Sequence, residues 1–565
     1  MAATPIFGPY DVTRSTNFAD NQLINLRPEI GDGKDGKGLG ALYGTPGLDL
    51  LAAVGVGPVN GLHSISNVLY VVSNLTVYTV TTQFVSFTAG VIVGSGGRVS
   101  MIDNGTQIAI FTDLAGYVGP AGFPITGGAV SAGGINYSSG DTIVLQSLAG
   151  GQTAACIIRV TGVSGGAVST FTITQTGAFN PKPTTLVQQN TTGSGSGFQL
   201  GTLTFGGSQA LCQVALPFTP SAGQAMSAVF QDGFALINQP GTMTIWQSQV
   251  LDISVWPALN FATADGESDT VQALKSIHRE IFVVKTRSTE VWNNAGAAGF
   301  AFQPLGAVMI ERGTPAWGSV AKVGESLMYL SETSQGVGIV VEIEGFAPRR
   351  VSNHAIETLL ATAIMTDAFA YSYTQEGHQL YVLTLPTGNF TLVYDKTDSM
   401  LAGVPVWYQW LSFANGLFSR HPGNVFSFFN QFLIIGDYAS GHLYQLDLNT
   451  LTDAGAARKW VRTWRATARP SMMPQRFTSL QVDFQTGIGI AVGANPQVVL
   501  RFSDDGGHNW SSERYASVGR LGQTSWRVRW TRLGSTRRNS GLDRIFELSS
   551  TDQFPVAIVN AELDV

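Results

Sequence analysis

At 565 residues the chain is far longer than the size at which a single hydrophobic core stops growing, so it must divide into several packed units. Only 12% of the residues are charged, against 44% hydrophobic and 10% aromatic, with 66 glycines and a formal net charge of −6. That balance argues against a protein built to grip phosphate backbones, two cysteines exclude a disulfide framework, and the lack of any run of roughly 18 apolar residues excludes a helical membrane span.

The opening MAATPIFGPYDVTRSTN has no charged stretch followed by an apolar one, so it does not read as a secretory signal, and a soluble product made in a cytoplasm is expected. Residues 1–48 read as an irregular N-terminal arm lying over another surface. Within it, Gly31–Gly38 carries four glycines, two lysines and two aspartates in eight residues and is expected to be a flexible loop.

From Gly61 short β-rich runs alternate with polar breaks. VLYVVSNLTVYTV (Val68–Val80) predicts a hairpin turning at Ser73–Asn74, and SMIDNGTQIAIFTD (Ser100–Asp113) one with Asn104–Gly105 as a two-residue turn. Five more follow at Ala228–Ser248, Glu280–Asn294, Ser326–Gly345, Gln379–Lys396 and Gln431–Leu448. Seven hairpins at this recurrence predict an all-β chain with a radially repeated fold, a β-propeller over 49–124 and 209–457. A pair of β-sandwiches would show the same hairpins without regular spacing. In Ser352–Met365, Ile356, Leu359, Leu360 and Ile364 recur at helical spacing and Asn353 is placed to cap the first turn, so a short helix is expected there.

Residues 125–208 contain only Asp141, Arg159 and Lys182 as charges. They alternate and turn on glycine, which predicts a small Gly/Ser-rich β domain inserted into a propeller loop. From 458 to 565 the composition shifts again: between Arg458 and Arg544 stand fifteen Lys or Arg against five Asp or Glu, interleaved with tryptophans. Four strand patterns predict a C-terminal β-sandwich. In WRVRWTR, Arg527 and Arg529 fall on one face of a strand and Trp526, Val528 and Trp530 on the other.

SDDGGHNW resembles the Asp-box through Ser503, Asp505, Gly507 and Trp510, a motif that in sialidases and other β proteins is a hairpin turn remote from the active centre. A glycosidase needs two carboxylates at a defined separation or a Tyr/Glu nucleophile, which a single Asp-box does not supply, so it reads as a structural turn. The seven histidines are scattered without metal-ligand spacing; DNGTQ and ADGESD lack the spaced carboxylates of a calcium loop; and GVSGG is not followed by a helix. No catalytic, cofactor or metal residues are assigned. The arginine-tryptophan face has two readings, a phosphate or sugar site or a protein interface. The acidic balance of the chain favours an interface formed by Trp526, Arg527, Arg529, Trp530, Arg532, Arg537 and Arg538.

Several stretches in order resemble one family, the packaged-DNA stabilisation proteins (tail accessory, hub or nozzle proteins) of short-tailed bacteriophages. They are NLRPEI, LYGTPGL, GLHSISNVLYVVSNLTVYTV, GGRVSMIDNGTQIAI, IFVVKTRSTEVWNNAG, RGTPAWGSVAKVGESLMYLSE, APRRVSNHAIETLL, LVYDKTDS, LIIGDYASGHLYQLD and SDDGGHNWSSER. The match spans nearly the whole chain, with 125–208 departing from it. The resemblance implies a β-propeller with a distal β-sandwich, and six copies in a ring of the virion tail. A portal adaptor would sit above, and a plug, needle, tail fibres or tailspikes at the tip or periphery. Such a ring extends the DNA exit channel, retains packaged dsDNA and passes it at ejection without tight binding, and the family offers no catalytic residues or cofactors. Two other readings stand beside it: a glycan-binding or glycan-degrading tail protein, and a receptor-binding module carried by 125–208.

Overall fold

The computed structural model describes residues 2–13, 20–31, 40–120, 122–206, 211–333, 336, 338–466, 475–536 and 544–565. Most of the segment expected to be a glycine-rich loop, 32–38, lies outside them.

Among the described residues, seven antiparallel blades of four strands follow one another along the chain, five as separate sheets and the last two as parts of a nine-stranded and a six-stranded sheet. Their first strands are Val59–Ile65, Ser100–Asp103, Ala228–Gln231, Val271–Ile277, Ala321–Val323, Phe369–Gln375 and Gly423–Phe429. Each lies beside the next, and the seventh beside the first, so the sheets close into a propeller. Every one of the seven hairpins foreseen from alternation falls in a separate blade, because alternation records which face of a strand is buried and that is decided locally. In blades 3, 4, 6 and 7 the first hairpin turns on two residues of positive φ, Asp232–Gly233, His278–Arg279, Glu376–Gly377 and Asn430–Gln431, the geometry whose twist matches the flanking strands.

Two turns differ from expectation. The first is at Asn74–Leu75, one residue later than read. At Asn104–Gly105 the loop has four residues, since Asp103 pairs with Ile108. Asn104 Oδ1 accepts from the amides of Thr106 (3.0 Å) and Gln107 (2.6 Å), so the side chain supplies the turn that a two-residue loop would have made from backbone.

Apolar clusters fill the gaps between blades. Tyr70, Val72 and Val77 meet Ile108, Ile110 and Tyr117; Val229 and Leu236 meet Val271, Leu274 and Ile281; Val425 and Ile434 meet Val59 and Val71. The ring is closed by the N-terminal segment: Gly47–Ala53 is the outer strand of blade 7, antiparallel to His442–Asp447. Gly47 sits so close to Thr450 O that a Cβ there would lie 2.1 Å from it.

A six-stranded sheet, Ile125–Ile135, Ser196–Phe205, Leu186–Thr191, Thr142–Gln146, Gln152–Ser164 and Ala167–Phe179 in spatial order, lies between the third strand of blade 2 (Gly116–Gly119) and its fourth (Cys212–Val214). Its outermost strands approach each other, curling it around a core of its own that includes Ile143, Ile158, Phe179, Phe198 and Leu200. It is seated on blades 2 and 3: Ser254 Oγ accepts from Ala155 N (2.8 Å), Gln175 Nε2 donates to Ser254 O (3.0 Å), and Val255 packs on Val144 and Ile157. Cys156 and Cys212 are free, buried thiols.

Most of the remaining strands form two facing sheets, a β-sandwich. One runs Val528–Ser535, Arg476–Phe484, Ala557–Asp564, Gly40–Gly44 and Leu26–Ile30. The other runs Leu23–Ile24, Trp460–Arg465, Ile545–Ser550, Gln497–Ser503 and Arg514–Ser517, and continues through the pairing of Ile24 with Gln409 into blade 6. The N-terminal segment read as irregular thus supplies strands to both halves. Its runs are two to five residues long and interrupted by Asn25, whose side chain caps Leu411 and Lys459 carbonyls at 2.7 Å, so no periodicity was available to reveal them.

Two short helices interrupt the β structure. His354–Leu360 is capped by Asn353, whose side chain accepts from Ile356 N at 2.9 Å as the sequence predicts, but the helix ends before Ile364, which is exposed instead of continuing its apolar stripe. Lys396–Ala402 was not foreseen; Asp395 caps it and Gly403 ends it at φ 68°. No helix among the described residues is long and apolar enough to cross a membrane.

Leu48 is 2% exposed in the core shared by propeller and sandwich. Leu48→Ala is expected to lower the unfolding free energy by about 2–5 kcal/mol in urea titration. A loss well under that range would mean that the closing strand contributes little.

Candidate functional site

The Asp-box-like turn follows the strand Gln497–Ser503. Ser503 Oγ donates to Asp505 Oδ1 (2.8 Å) and accepts from Gly507 N (2.9 Å). Asp505 accepts from Asn509 N (2.8 Å) and Asn509 Nδ2 (2.6 Å), bonds that pull its carboxyl down to about 2. Gly506 and Gly507 take φ of 74° and 89°, which a side chain would strain. Trp510 is half-buried beneath the Arg501 guanidinium, 5.4 Å from its ring centre. These four residues are engaged with their own loop. The neighbouring Asp504 holds the buried Arg544 through two bonds of 2.7 and 2.8 Å, and Arg544 also donates to Leu533 O (2.6 Å).

The arginine-tryptophan strand divides differently from the sequence reading. Trp530 is 4% exposed, part of the sandwich core, and donates its indole N–H to Arg514 O (2.9 Å). Trp526, expected on the same face, lies ahead of the strand and is 45% exposed. Arg527, Arg529 and Arg532 are exposed, with Arg529 donating to Ser479 Oγ (2.8 Å); Arg537 and Arg538 lie outside the described residues. The surface around Trp526 includes residues that sequence reasoning missed. Ile488, Val492 and Leu521 are exposed on the loops flanking it, which Gly522 N and Gly487 O tie together at 2.9 Å. Their signal, apolar residues in glycine-rich loops, is indistinguishable in sequence from ordinary turn filling.

Other arginines of this basic stretch face inward. Arg462 is 1% exposed and donates to Ile6 O (2.6 Å) and Gln22 O (3.4 Å), while Arg458 donates to Thr45 O (2.5 Å). With no carboxylate against it among the described residues, Arg462 is pulled down to about 9 by burial. These cations fasten the N-terminal segment and are not available to a ligand.

The structure also assembles a charged junction where Leu26–Ile30 crosses blade 6. His378 Nδ1 lies 2.8 Å from Asp395 Oδ2 and 4.0 Å from Asp398 Oδ1, and His378 Nε2 lies 3.9 Å from Glu29 Oε2. Arg27 Nη2 reaches Glu376 (2.8 Å) and Glu29 (3.2 Å). His378, Asp395 and Asp398 place their ligand atoms within 4.8 Å of one another, the spacing of metal ligands. Asp395, however, is already committed on both oxygens, to His378 and to the helix amide of Asp398 (3.0 Å), so the group acts as a buried ion-pair junction. The hydrogen bond to Asp395 raises the His378 pKa, and burial next to Asp395 raises Asp398 to about 6.

Two family models agree with this architecture. The family described as "Bacteriophage P22 Gp10, beta-propeller" matches residues 125–451, and that described as "Bacteriophage P22 Gp10, beta-sandwich" matches residues 465–565. No curated protein matches. Solved structures with similarity include the Neurospora crassa Pan2 WD40 domain (7% identity, 69% of this chain and 89% of that one, TM-score 0.30). Others are the N-terminal domain of Nup159 (8%, 76% and 99%, TM-score 0.32) and Kluyveromyces lactis Hsv2 (9%, 62% and 97%, TM-score 0.26). None of these structures is near enough to argue from.

The junction has a definite pH signature. An unfolded Asp398 ionises near 3.8 but the folded one only near 6, so its contribution to stability is lost as pH rises between those values. Asp398→Asn removes that loss. The urea midpoint of the variant is expected to gain on wild type steadily across that interval, and a difference that stays constant with pH would contradict the assignment.

Proposed function

Because the chain belongs to the bacteriophage P22 Gp10 family and is thereby a structural protein of a phage tail, we propose that it is the nozzle of a short tail. Six copies close into a ring that prolongs the DNA exit channel below the portal adaptor, retains packaged dsDNA and passes it at ejection. A plug, needle, fibres or tailspikes complete the assembly at the tip or periphery. The protein acts without chemistry: it supplies a shaped, sparingly charged wall.

The observation that carries this reading beyond family membership is the filling of the propeller's own axis. The cavity there has about 300 Å³ and is lined by side chains of six blades, too little for a duplex whose major groove alone is about 12 Å wide. A single subunit therefore offers DNA no passage, and any channel must be built between copies. The net charge of −6 fits a wall along which a polyanion slides, since phosphate contacts by Lys and Arg are what make nucleic acid adhere. The continuous sheet and core joining blade 6 to the sandwich make each subunit a stiff stave, suited to a tube that withstands internal pressure. The exposed Trp526 and its apolar neighbours give the sandwich an attachment surface for another tail protein, with Arg527, Arg529 and Arg532 at its rim.

Electron microscopy of the purified protein, or of tails carrying it, is expected to show a six-subunit ring that binds dsDNA only weakly at physiological salt. A protein that stays monomeric and is missing from mature particles, or one that holds DNA tightly, refutes the reading. Trp526→Ala is expected to leave thermal unfolding of the isolated protein unchanged while lowering its incorporation into particles; normal incorporation would remove Trp526 from the interface.

A further inference from the structure

The axis of the propeller carries an unusual grouping of charge. Arg98 just ahead of the first strand of blade 2, Lys275 in that of blade 4 and Lys322 in that of blade 5 line one cavity together with Tyr371 and Ser372 of blade 6. Among the described residues, no carboxylate lines it. Arg98 is held by neutral groups: it donates to the backbone oxygen of Asn424 and to Asn424 Oδ1 (3.0 Å), and lies 4.4 Å from the centre of the Phe369 ring. Lys275 has no acidic partner among the described residues, and the charge acting on it is the repulsive one of Arg98. Burial pulls Arg98 down to about 10 and Lys275 below its ordinary value, the response of cations lacking compensation. A second, uncharged observation points the same way. Tyr371 is 6% exposed and its hydroxyl has no hydrogen-bond partner, although it lines the same cavity as a spare donor.

We propose that this axial cavity is a binding site for a phosphate-type oxyanion, held by Arg98, Lys275 and Lys322 with a hydrogen bond from Tyr371. Its volume suits a small anion and not a folded partner. Arg98 brings a planar fork and the lysines bring point charges, the combination that recognises a multivalent ion with several oxygens. Because the contributing residues come from blades 2, 4, 5 and 6, such an ion ties blade 2 to three consecutive blades that it does not adjoin, and so locks the ring. The inference rests on these side chains alone and stands whether or not the protein forms a tail ring.

The test uses the purified full-length chain at low ionic strength, titrated with inorganic phosphate and separately with a nucleoside triphosphate, each followed by calorimetry and by thermal unfolding against a chloride control. Wild type is expected to bind with a Kd of about 1 mM or tighter and to unfold at a higher temperature when loaded. Lys275→Met is expected to weaken binding by about tenfold or more and, having lost an uncompensated cation, to unfold no lower than wild type in the absence of anion. Lys322→Gln, at an exposed position, provides the same readout should Lys275→Met fold poorly, and Arg520→Gln in a sandwich loop is expected to change nothing. Tight binding of phosphate identifies the free ion, and binding of the triphosphate alone identifies the phosphate chain of a nucleotide; both support the site. No response in wild type to either probe, or a response in Lys275→Met and Lys322→Gln as strong as that of wild type, overturns it.

Discussion

The constraint on which the molecule depends is that its first fifty or so residues are shared between both halves. Leu23–Ile24 stands between blade 6 and the sandwich strand Trp460–Arg465, Leu26–Ile30 and Gly40–Gly44 extend the opposite sandwich sheet, and Gly47–Ala53 closes the ring at blade 7. The pairings of Leu23–Ile24, Gly40–Gly44 and Gly47–Ala53 with the later chain span roughly four to five hundred positions, and the entropy of ordering so long a loop has to be offset by burial on both sides. Leu23, Leu26, Leu42 and Leu48 are all nearly inaccessible, which shows where that compensation comes from. Propeller and sandwich consequently share one apolar cluster running from Leu330 through Trp407 to Leu563.

The few charges of this chain are placed with the same economy. Arg458 and Arg462 donate to backbone carbonyls of the N-terminal segment, and Arg544 spans Asp504 and Leu533. Lys285 sits fully buried between Asp269 and Glu290 at 3.0 and 2.9 Å. Breaking one side of such a pair strands the other in a low-dielectric interior, so these groups fix geometry more than they add stability. What is left for the outside is a surface of low charge density, the kind that tolerates close packing with copies and slow passage of a polyanion.

The sequence showed the hairpins plainly, because alternation within Val68–Val80 or Gln379–Lys396 depends only on which face each residue presents. It also showed the capped helix at Asn353 and the strands of the sandwich. It concealed whatever depended on distant partners. The N-terminal strands have no period of their own; Trp526 and Trp530 share a parity in sequence, yet one precedes the strand and the other is inside it. The helix Lys396–Ala402 had the local signals of a cap at Asp395 and a stop at Gly403, but its apolar content was too slight to register. The junction at His378 and the axial cavity were invisible for a different reason: the first gathers residues of a hairpin, a helix and the N-terminal strand, and the second becomes a cavity only when the ring closes.

That the outer strand of the last blade is borrowed from the beginning of the chain also bears on how the protein is made. Ala53 leaves the ribosome some 370 residues before Gly423, an interval of roughly 20–70 s at ordinary translation rates. During it the early strand has nothing to pair with, and the blades already emerged form an open arc with exposed edges. Emergence of His442–Asp447 is therefore the event that lets the arc close. A product cut short before that strand keeps its edges unpaired and its sandwich unbuilt.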